Sequence, residues 1–183
     1  MANIALAVLF AGRNNPLTYI TGLSRTTCLI FHLWAARVAT IQVIIHFINY
    51  TIAYYWDGSA AAFNMKASKL YFWWGIIGTV ALFLGTALSV LPLRLRSYEK
   101  FLITHIIIVI LALNGCWYHV QNRFQQHWGY EVWLYIAFAF WAFDRLARVA
   151  IIGFRNFGGK STQAFAELMS GGFIKLTVFP STP

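Results

Sequence analysis

Long apolar runs alternate with short polar, turn-rich segments along this chain. Four runs cover about residues 28–55, 70–93, 101–120 and 130–152, and each is long enough for a bilayer, which takes roughly 20 residues. The opening run, MANIALAVLF, is shorter and reads as the last half of a helix whose beginning is missing. The pattern predicts four full transmembrane helices plus a truncated N-terminal one.

Composition narrows the class further. Apolar residues make up 60% of the 183 positions and charged residues 10%, whereas a soluble domain usually carries about 25% charge. A globule of this size could not bury so much apolar side chain. We therefore predict an all-α integral membrane helix bundle. Cys28 and Cys116 both fall inside apolar runs, so we expect them to be small core residues without a disulfide or a metal role.

The net charge of +9 is distributed as a topology signal. The basic residues lie between the apolar runs and do not line one exposed face, so we expect no nucleic-acid partner. One side of the membrane would receive ten of them: Arg13, Arg25, Arg94, Arg96, Lys100, Arg145, Arg148, Arg155, Lys160 and Lys175. The other side would receive three: Lys66, Lys69 and Arg123. The positive-inside rule then places the first set, and the C-terminus, in the cytosol.

The last thirty or so residues have a different character. The segment GGFIKLTVFPSTP has β-branched and aromatic residues after a Gly-Gly turn, which predicts a first strand of a soluble domain. We therefore divide the chain into a transmembrane domain, residues 1–152, and a short cytosolic tail, residues 153–183.

Two apolar runs carry a pair of histidines each. His32 and His46 bound FHLWAARVATIQVIIH, and His105 and His119 bound HIIIVILALNGCWYH, with a spacing of 14 in both cases. In a helix, 14 positions turn about 1400°, about 40° short of four full turns, and rise about 21 Å. Both histidines of a span therefore lie on one face, near opposite sides of the membrane.

The topology pairs these histidines across the two spans. Both spans run from cytosol to exterior, so His32 faces His105 near the cytosol and His46 faces His119 near the outside. Bis-histidine ligation of haem iron needs two imidazoles on opposite sides of a flat macrocycle, so the favoured interpretation is two stacked haems. The alternative is hydrogen-bonded packing residues. Zinc is disfavoured because no Cys or carboxylate completes either pair.

Other polar residues in or near the spans have open interpretations. Arg37 requires a partner within the membrane, which could be a haem propionate, the cytosolic interface or Asp144. Three amide side chains could either line the space between helices or form hydrogen bonds from helix to helix, and the second interpretation is favoured. They are Gln42, Asn49 and Asn114. His127 is interpreted as a solvated loop residue.

The sequence resembles a known family at this point. The segments AGRNNPLTYITG, FHLWAARVATIQVIIH, YFWWGIIGTVAL and RSYEKFLITHIIIVILALNGCWYHV occur in this order. They resemble the transmembrane region of fungal ferric-chelate reductases, whose superfamily also contains the NADPH oxidases. The resemblance runs from about residue 8 to residue 183. The spacing of 14 in both pairs is like the metalloreductases, since NADPH oxidases usually have one residue fewer in the second pair.

The resemblance implies a function. It implies that His32, His46, His105 and His119 are the axial ligands of two b-type haems. It also implies electron flow from cytosolic NADPH through FAD and both haems to an external ferric chelate, reducing Fe(III) to Fe(II) for iron uptake at the plasma membrane. The alternatives are a superoxide-generating oxidase core and a non-catalytic membrane fragment without haem.

The sequence departs from the family pattern in three places. Leu33 stands where a basic residue often follows the first histidine, and Ala36 where glycine often precedes the arginine that matches Arg37. The flavin and nicotinamide domains are the third departure: GGFIKLTVFP resembles the opening of the flavin barrel, and no flavin or nucleotide motif follows it. We expect the chain to be the core piece of a longer reductase whose FAD- and NADPH-binding module is supplied separately.

Overall fold

The structure, a computed structural model, describes residues 1–56, 59–157, 163–170 and 172–179. The helices are α1 (Ala2–Ala11), α2 (Pro16–Thr21), α3 (Arg25–Trp56), α4 (Ser59–Ala67), α5 (Leu70–Ala87), α6 (Leu91–Arg96), α7 (Tyr98–Phe124) and α8 (Val132–Phe157). The strands are β1 (Gln163–Met169) and β2 (Phe173–Phe179). The predicted all-α membrane bundle is confirmed, with a small hairpin added to it.

In the described part of the chain, three helices, α3, α5 and α7, are long and apolar enough to cross a membrane. The predicted fourth span corresponds to α8, which has 26 residues. Its first half is apolar, but its second half carries Asp144, Arg145 and Arg148. These charges set α8 apart from α3, α5 and α7, each of which contains an 18-residue apolar stretch with no more than two charged residues.

The helix ends differ from the predicted limits where proline and glycine intervene. The predicted run 70–93 is a helix only to Ala87, and the short α6 follows, because Pro92 has no N–H to donate and its ring clashes with the preceding turn. The link after α1 contains α2, which the sequence analysis missed. Asn15 caps α2 by accepting a hydrogen bond from Leu17 N at 3.0 Å, and Gly22 ends it with a φ of 69°.

The helices of the first compact unit, Met1–Ala142, pack in a specific order. α5 lies closely against α7, and α1 against α3. A Cβ built on Gly115 would lie 2.6 Å from the Cα and N of Gly78, so the two glycines let the backbones of α5 and α7 approach closely. By contrast, α3 and α7 are not a closely packed pair among the described residues, and the space between them is where the histidines meet.

A polar contact joins α3 to α5 near the middle of the apolar region. Thr40 is 5% exposed, and its hydroxyl donates to Ala36 O at 2.9 Å. Its oxygen lies 2.7 Å from Thr86 Oγ1, and Thr86 is the donor because the single Thr40 hydrogen is already used. The contact fixes the position of α5 beside α3 between the levels of the two histidine pairs.

Cys28 and Cys116 are buried in the first unit, as predicted, and neither forms a disulfide. Asn15 Nδ2 lies 3.9 Å from Cys28 Sγ.

Arg25 connects the start of α3 to the end of α1. Its guanidinium donates to the carbonyl oxygens of Ala11 and Gly12. A cation at these carbonyls complements the negative end of the α1 dipole.

The second compact unit is Phe143–Pro183. Within α8, Asp144 Oδ2 lies 3.6 Å from Arg148 Nη2 and 3.9 Å from Arg145 Nε. The strand predicted in GGFIKLTVFPSTP corresponds to β2, although Gly171 and residues 180–183 lie outside the described residues. The strand β1 was not predicted from the sequence. It pairs with β2 in an antiparallel register from Gln163 opposite Phe179 to Met169 opposite Phe173.

Candidate functional site

The first histidine pair joins α3 to α7 at one end of the bundle. The ring centroids of His32 and His105 are 6.3 Å apart, and the ring planes make an angle of 82°. Both side chains are half-buried. The structure thus brings together the two residues that the sequence analysis paired on the cytosolic side.

The second pair, His46 and His119, lies 14 residues further along the same two helices. The ring centroids of His46 and His119 are 6.2 Å apart, at an angle of 89°. The two pairs therefore have nearly the same geometry, as expected when both spans repeat the same spacing of 14 on parallel helices.

Backbone carbonyl groups fix the ring nitrogens of two of the histidines. His32 Nδ1 lies 2.8 Å from Ala7 O, and His119 Nδ1 lies 2.8 Å from Tyr71 O. A carbonyl oxygen can only accept, so Nδ1 carries the hydrogen in both rings. In the neutral imidazole this leaves Nε2 with a free lone pair, which is the form that binds a metal.

His105 has a weaker contact of the same kind. Its Nδ1 lies 3.4 Å from Ser89 Oγ, and the Ser89 hydroxyl donates to Gly85 O. The serine oxygen is then left to accept from His105 Nδ1–H, which gives this ring the same tautomer as the other two. His46 is oriented differently: its ring packs on Tyr50 at a centroid distance of 4.6 Å.

The separations fit one iron between the rings of each pair. Metal–imidazole bonds are about 2 Å long, and the centre of an imidazole ring lies about 1.15 Å behind its nitrogen, given ring bonds of about 1.33 Å. Two imidazoles on opposite sides of one metal ion therefore need a centroid separation of about 6.3 Å. The observed separations of 6.3 and 6.2 Å agree with this. The donor set is also suitable, since haem iron takes axial imidazole ligands.

The comparison with known proteins identifies the family of this membrane bundle. Over residues 1–116 the chain matches the family described as "Ferric reductase like transmembrane component". The chain belongs to the ferric reductase like family. The matched residues include His32, His46 and His105, and they end three positions before His119.

Curated relatives of this ferric-reductase-like chain extend the match. It is 34% identical over 180 residues to ferric reductase transmembrane component 4 of Saccharomyces cerevisiae, covering 97% of this chain and 23% of that protein. It is 31% identical over 151 residues to ferric/cupric reductase transmembrane component 1 of Candida albicans, covering 82% of this chain and 19% of that protein. The chain thus spans about a fifth to a quarter of the length of these relatives. No solved structure matches it.

Arg37 of this ferric-reductase-like chain does not lie on the histidine face of α3. Its guanidinium is 5.3 Å from the centroid of the Trp34 ring, and both side chains are exposed. The helical geometry explains this placement, since five positions after His32 amount to a rotation of about 140°. The role of Arg37 toward a propionate stays a prediction.

The other polar residues follow different patterns. Gln42 Oε1 accepts from Asn3 Nδ2 at 3.0 Å, which is the interhelical hydrogen bond that the sequence analysis favoured. Asn49 and Asn114 are exposed side chains on α3 and α7. His127 is an exposed residue after the end of α7, in agreement with its interpretation as a loop residue.

The residues that hold the histidines in place were not predicted from the sequence. Gly75 provides the space for His119: a Cβ on Gly75 would lie 2.6 Å from His119 Nδ1. Ser89 and the carbonyl groups of Ala7 and Tyr71 are the hydrogen-bond partners of the rings. The glycine in YFWWG and Ser89 are visible in the sequence, but a backbone acceptor leaves no mark in it.

Proposed function

We propose that this ferric-reductase-like chain holds two b-type haems and moves single electrons across the plasma membrane. His32 and His105 would hold the inner haem, and His46 and His119 the outer one. The observation that supports this most is the pair of nearly equal ring separations, 6.3 and 6.2 Å. When bound, haem iron supplies one-electron chemistry between its ferric and ferrous states.

The side chains of this protein would position and tune the site. The hydrogen bonds of His32 and His119 to backbone carbonyl groups hold each ring in one orientation and make Nε2 a stronger donor. In the membrane, the apolar residues of α3, α5 and α7 would keep water away from both pairs and lower the dielectric around them. The tight packing of Gly78 on Gly115 keeps α7, and hence two of the ligands, at a fixed distance from α5.

The direction of transfer follows from the charge distribution of the chain. With the C-terminus in the cytosol, electrons would enter at the His32–His105 level from a module that binds FAD and NADPH. They would leave at the His46–His119 level to an external ferric chelate, whose reduction to Fe(II) serves iron uptake. The hairpin of the tail would be the start of the flavin-binding domain. The names of the relatives, ferric and ferric/cupric reductase transmembrane components, support oxidised iron or copper as the acceptor.

Haem content tests this proposal directly. The purified chain should contain two haems per polypeptide by pyridine haemochrome assay, with the spectrum of low-spin b-type haem. Reduction by dithionite should proceed without any flavin. A well-folded preparation in detergent that shows no Soret band after expression with added haem would refute the proposal.

A further inference from the structure

A cleft of about 300 Å³ opens beside the end of α7, next to the second histidine pair. Its polar lining consists of Lys66, Lys69, Tyr71, Asn122 and Arg123, and we name it the outer cleft. The outer cleft holds all three basic residues that the charge count assigns to the external side. Three cations around one small cleft create a positive potential that attracts anions.

Two of the three cations of the outer cleft, Lys66 and Arg123, lie over aromatic rings. The Arg123 guanidinium lies 5.4 Å from the centroid of the Tyr71 ring, and Lys66 Nζ lies 5.9 Å from that of Tyr54. Among the described residues, no carboxylate comes within ion-pair distance of any of the three cations. Their charge is therefore not neutralised locally by the residues that the structure describes.

Tyr71 connects the outer cleft to the outer histidine pair. It lines the cleft, and its carbonyl oxygen accepts the hydrogen bond from His119 Nδ1 at 2.8 Å. Its ring lies 6.0 Å from the His119 ring, centroid to centroid. An anion in the cleft would thus be separated from a proposed haem ligand by one residue.

We propose that the outer cleft binds an anionic ferric chelate, such as a complex with carboxylate ligands, at the point where electrons leave the protein. This inference rests on the proposed function and adds the charge class of the acceptor and its binding site. The bound chelate takes up one electron, its Fe(III) becomes Fe(II), and its net charge becomes more negative by one. No bond to the protein forms or breaks in this step.

Binding of a redox-inert anion tests the outer cleft without electron transfer. The full chain is placed in nanodiscs of neutral phosphatidylcholine, and binding of the dianionic gallium(III)–DTPA complex is measured by equilibrium dialysis. Neutralising one cation by Lys66→Gln, Lys69→Gln or Arg123→Gln should weaken binding about two- to fivefold, as for exposed charge pairs. The triple variant should lose about tenfold or more. Raising the ionic strength should weaken binding of the complex to the unmodified chain.

Matched controls separate charge from folding. Lys100→Gln removes an exposed cation at the other end of α7 and should leave binding unchanged. Arg123→Lys retains the charge and should preserve most of the binding of the gallium complex. The cationic complex hexaamminecobalt(III) should not bind. Unchanged binding to the triple variant, or equal binding of the cobalt complex, would overturn the inference.

The lipid composition distinguishes a chelate from a phospholipid headgroup. If nanodiscs with anionic phosphatidylglycerol abolish gallium binding, the outer cleft is a lipid site and the inference fails. If the gallium complex binds and the protein takes up no haem, the proposed function fails, but the outer cleft is still an anion site. If the protein carries two haems and binds no gallium complex, the proposed function is supported and the inference about the outer cleft fails.

Discussion

Gly75 of α5 lies so close to His119 of α7 that a Cβ built on the glycine would be 2.6 Å from the ring nitrogen Nδ1. That nitrogen donates to the carbonyl oxygen of Tyr71, one turn before Gly75. The ring therefore occupies a notch in α5 that only a glycine leaves open. The orientation of one proposed haem ligand depends on a residue of a helix that carries no histidine.

This contact predicts the effect of Gly75→Ala. The added methyl group should displace the His119 ring and break its hydrogen bond to Tyr71, so that haem content falls from two toward one per chain, or the electron paramagnetic resonance signal of one haem shifts. Gly153→Ala is the matched control, because its Cβ would meet nothing closer than 3.9 Å. Two haems with unchanged signals in Gly75→Ala would contradict the positioning role of this glycine.

The placement of the histidines could be predicted from the sequence because it depends on local geometry. A helix repeats every 3.6 residues, so the spacing of 14 places His32 and His46 on one face wherever the helix lies. The same rule, applied to Arg37, would have indicated that this side chain points away from the histidines. The strand in GGFIKLTVFPSTP could be predicted from its β-branched and aromatic residues, and it corresponds to β2. The sequence of β1, QAFAELM, is largely apolar but does not alternate regularly, and this strand was missed.

The hydrogen-bond partners of the histidine rings could not be predicted from the sequence, since these contacts arise from packing between helices. Tyr71 contributes a carbonyl oxygen that any residue would supply. Ser89 follows the end of α5, and its contact with His105 depends on how closely this end lies to α7. Such contacts depend on how far two backbones approach each other, and this distance is set by Gly78 and Gly115 together.

The glycine contact between α5 and α7 predicts a loss of stability in Gly115→Ala. Its Cβ would lie 2.6 Å from backbone atoms of Gly78, which cannot rotate away as a side chain could, so the helices must separate. Overpacking of this kind costs about 1–3 kcal/mol. The melting temperature in detergent should fall, whereas Gly85→Ala, with Ile108 Cγ2 at 3.4 Å as its nearest contact, should change it much less. Equal melting temperatures for the two variants would argue against a backbone clash.

Ser89 should tune the haem at the His32–His105 level. In Ser89→Ala the His105 ring loses the oxygen at 3.4 Å that accepts from Nδ1, so Nε2 becomes a weaker donor and the ferric state is less stabilised. The midpoint potential of one haem should rise modestly in a spectroelectrochemical titration, and that of the other should stay constant. Ser89→Thr, which retains the hydroxyl, should restore the potential. A shift of both haems would indicate a general loosening of the bundle.

The distribution of Lys and Arg predicts which side of the membrane each link faces. In a chain whose buried Cys28 and Cys116 are replaced by alanine, Asn64→Cys should react with an impermeant maleimide added to intact cells. Ser97→Cys should react only after permeabilisation. Both positions are exposed, so a missing reaction reports the side of the membrane and not burial. The opposite labelling pattern would reverse the orientation and the order of the two haems.

Histidine substitution separates the two haem sites. Each of His32→Ala, His105→Ala, His46→Ala and His119→Ala should lower haem content by about one per chain, because an iron held from one side lacks its second strong ligand. The exposed loop variant His127→Ala should keep two haems.

Double variants then test the pairing itself. His32→Ala with His105→Ala should be no worse than either alone, because ligands of one haem act as a unit and their losses are not additive. His32→Ala with His119→Ala removes a ligand from each site and should leave no haem. Pyridine haemochrome assays on folded protein measure both outcomes. If His32→Ala with His105→Ala lost both haems while each single variant lost one, these two histidines could not be the ligands of the same haem.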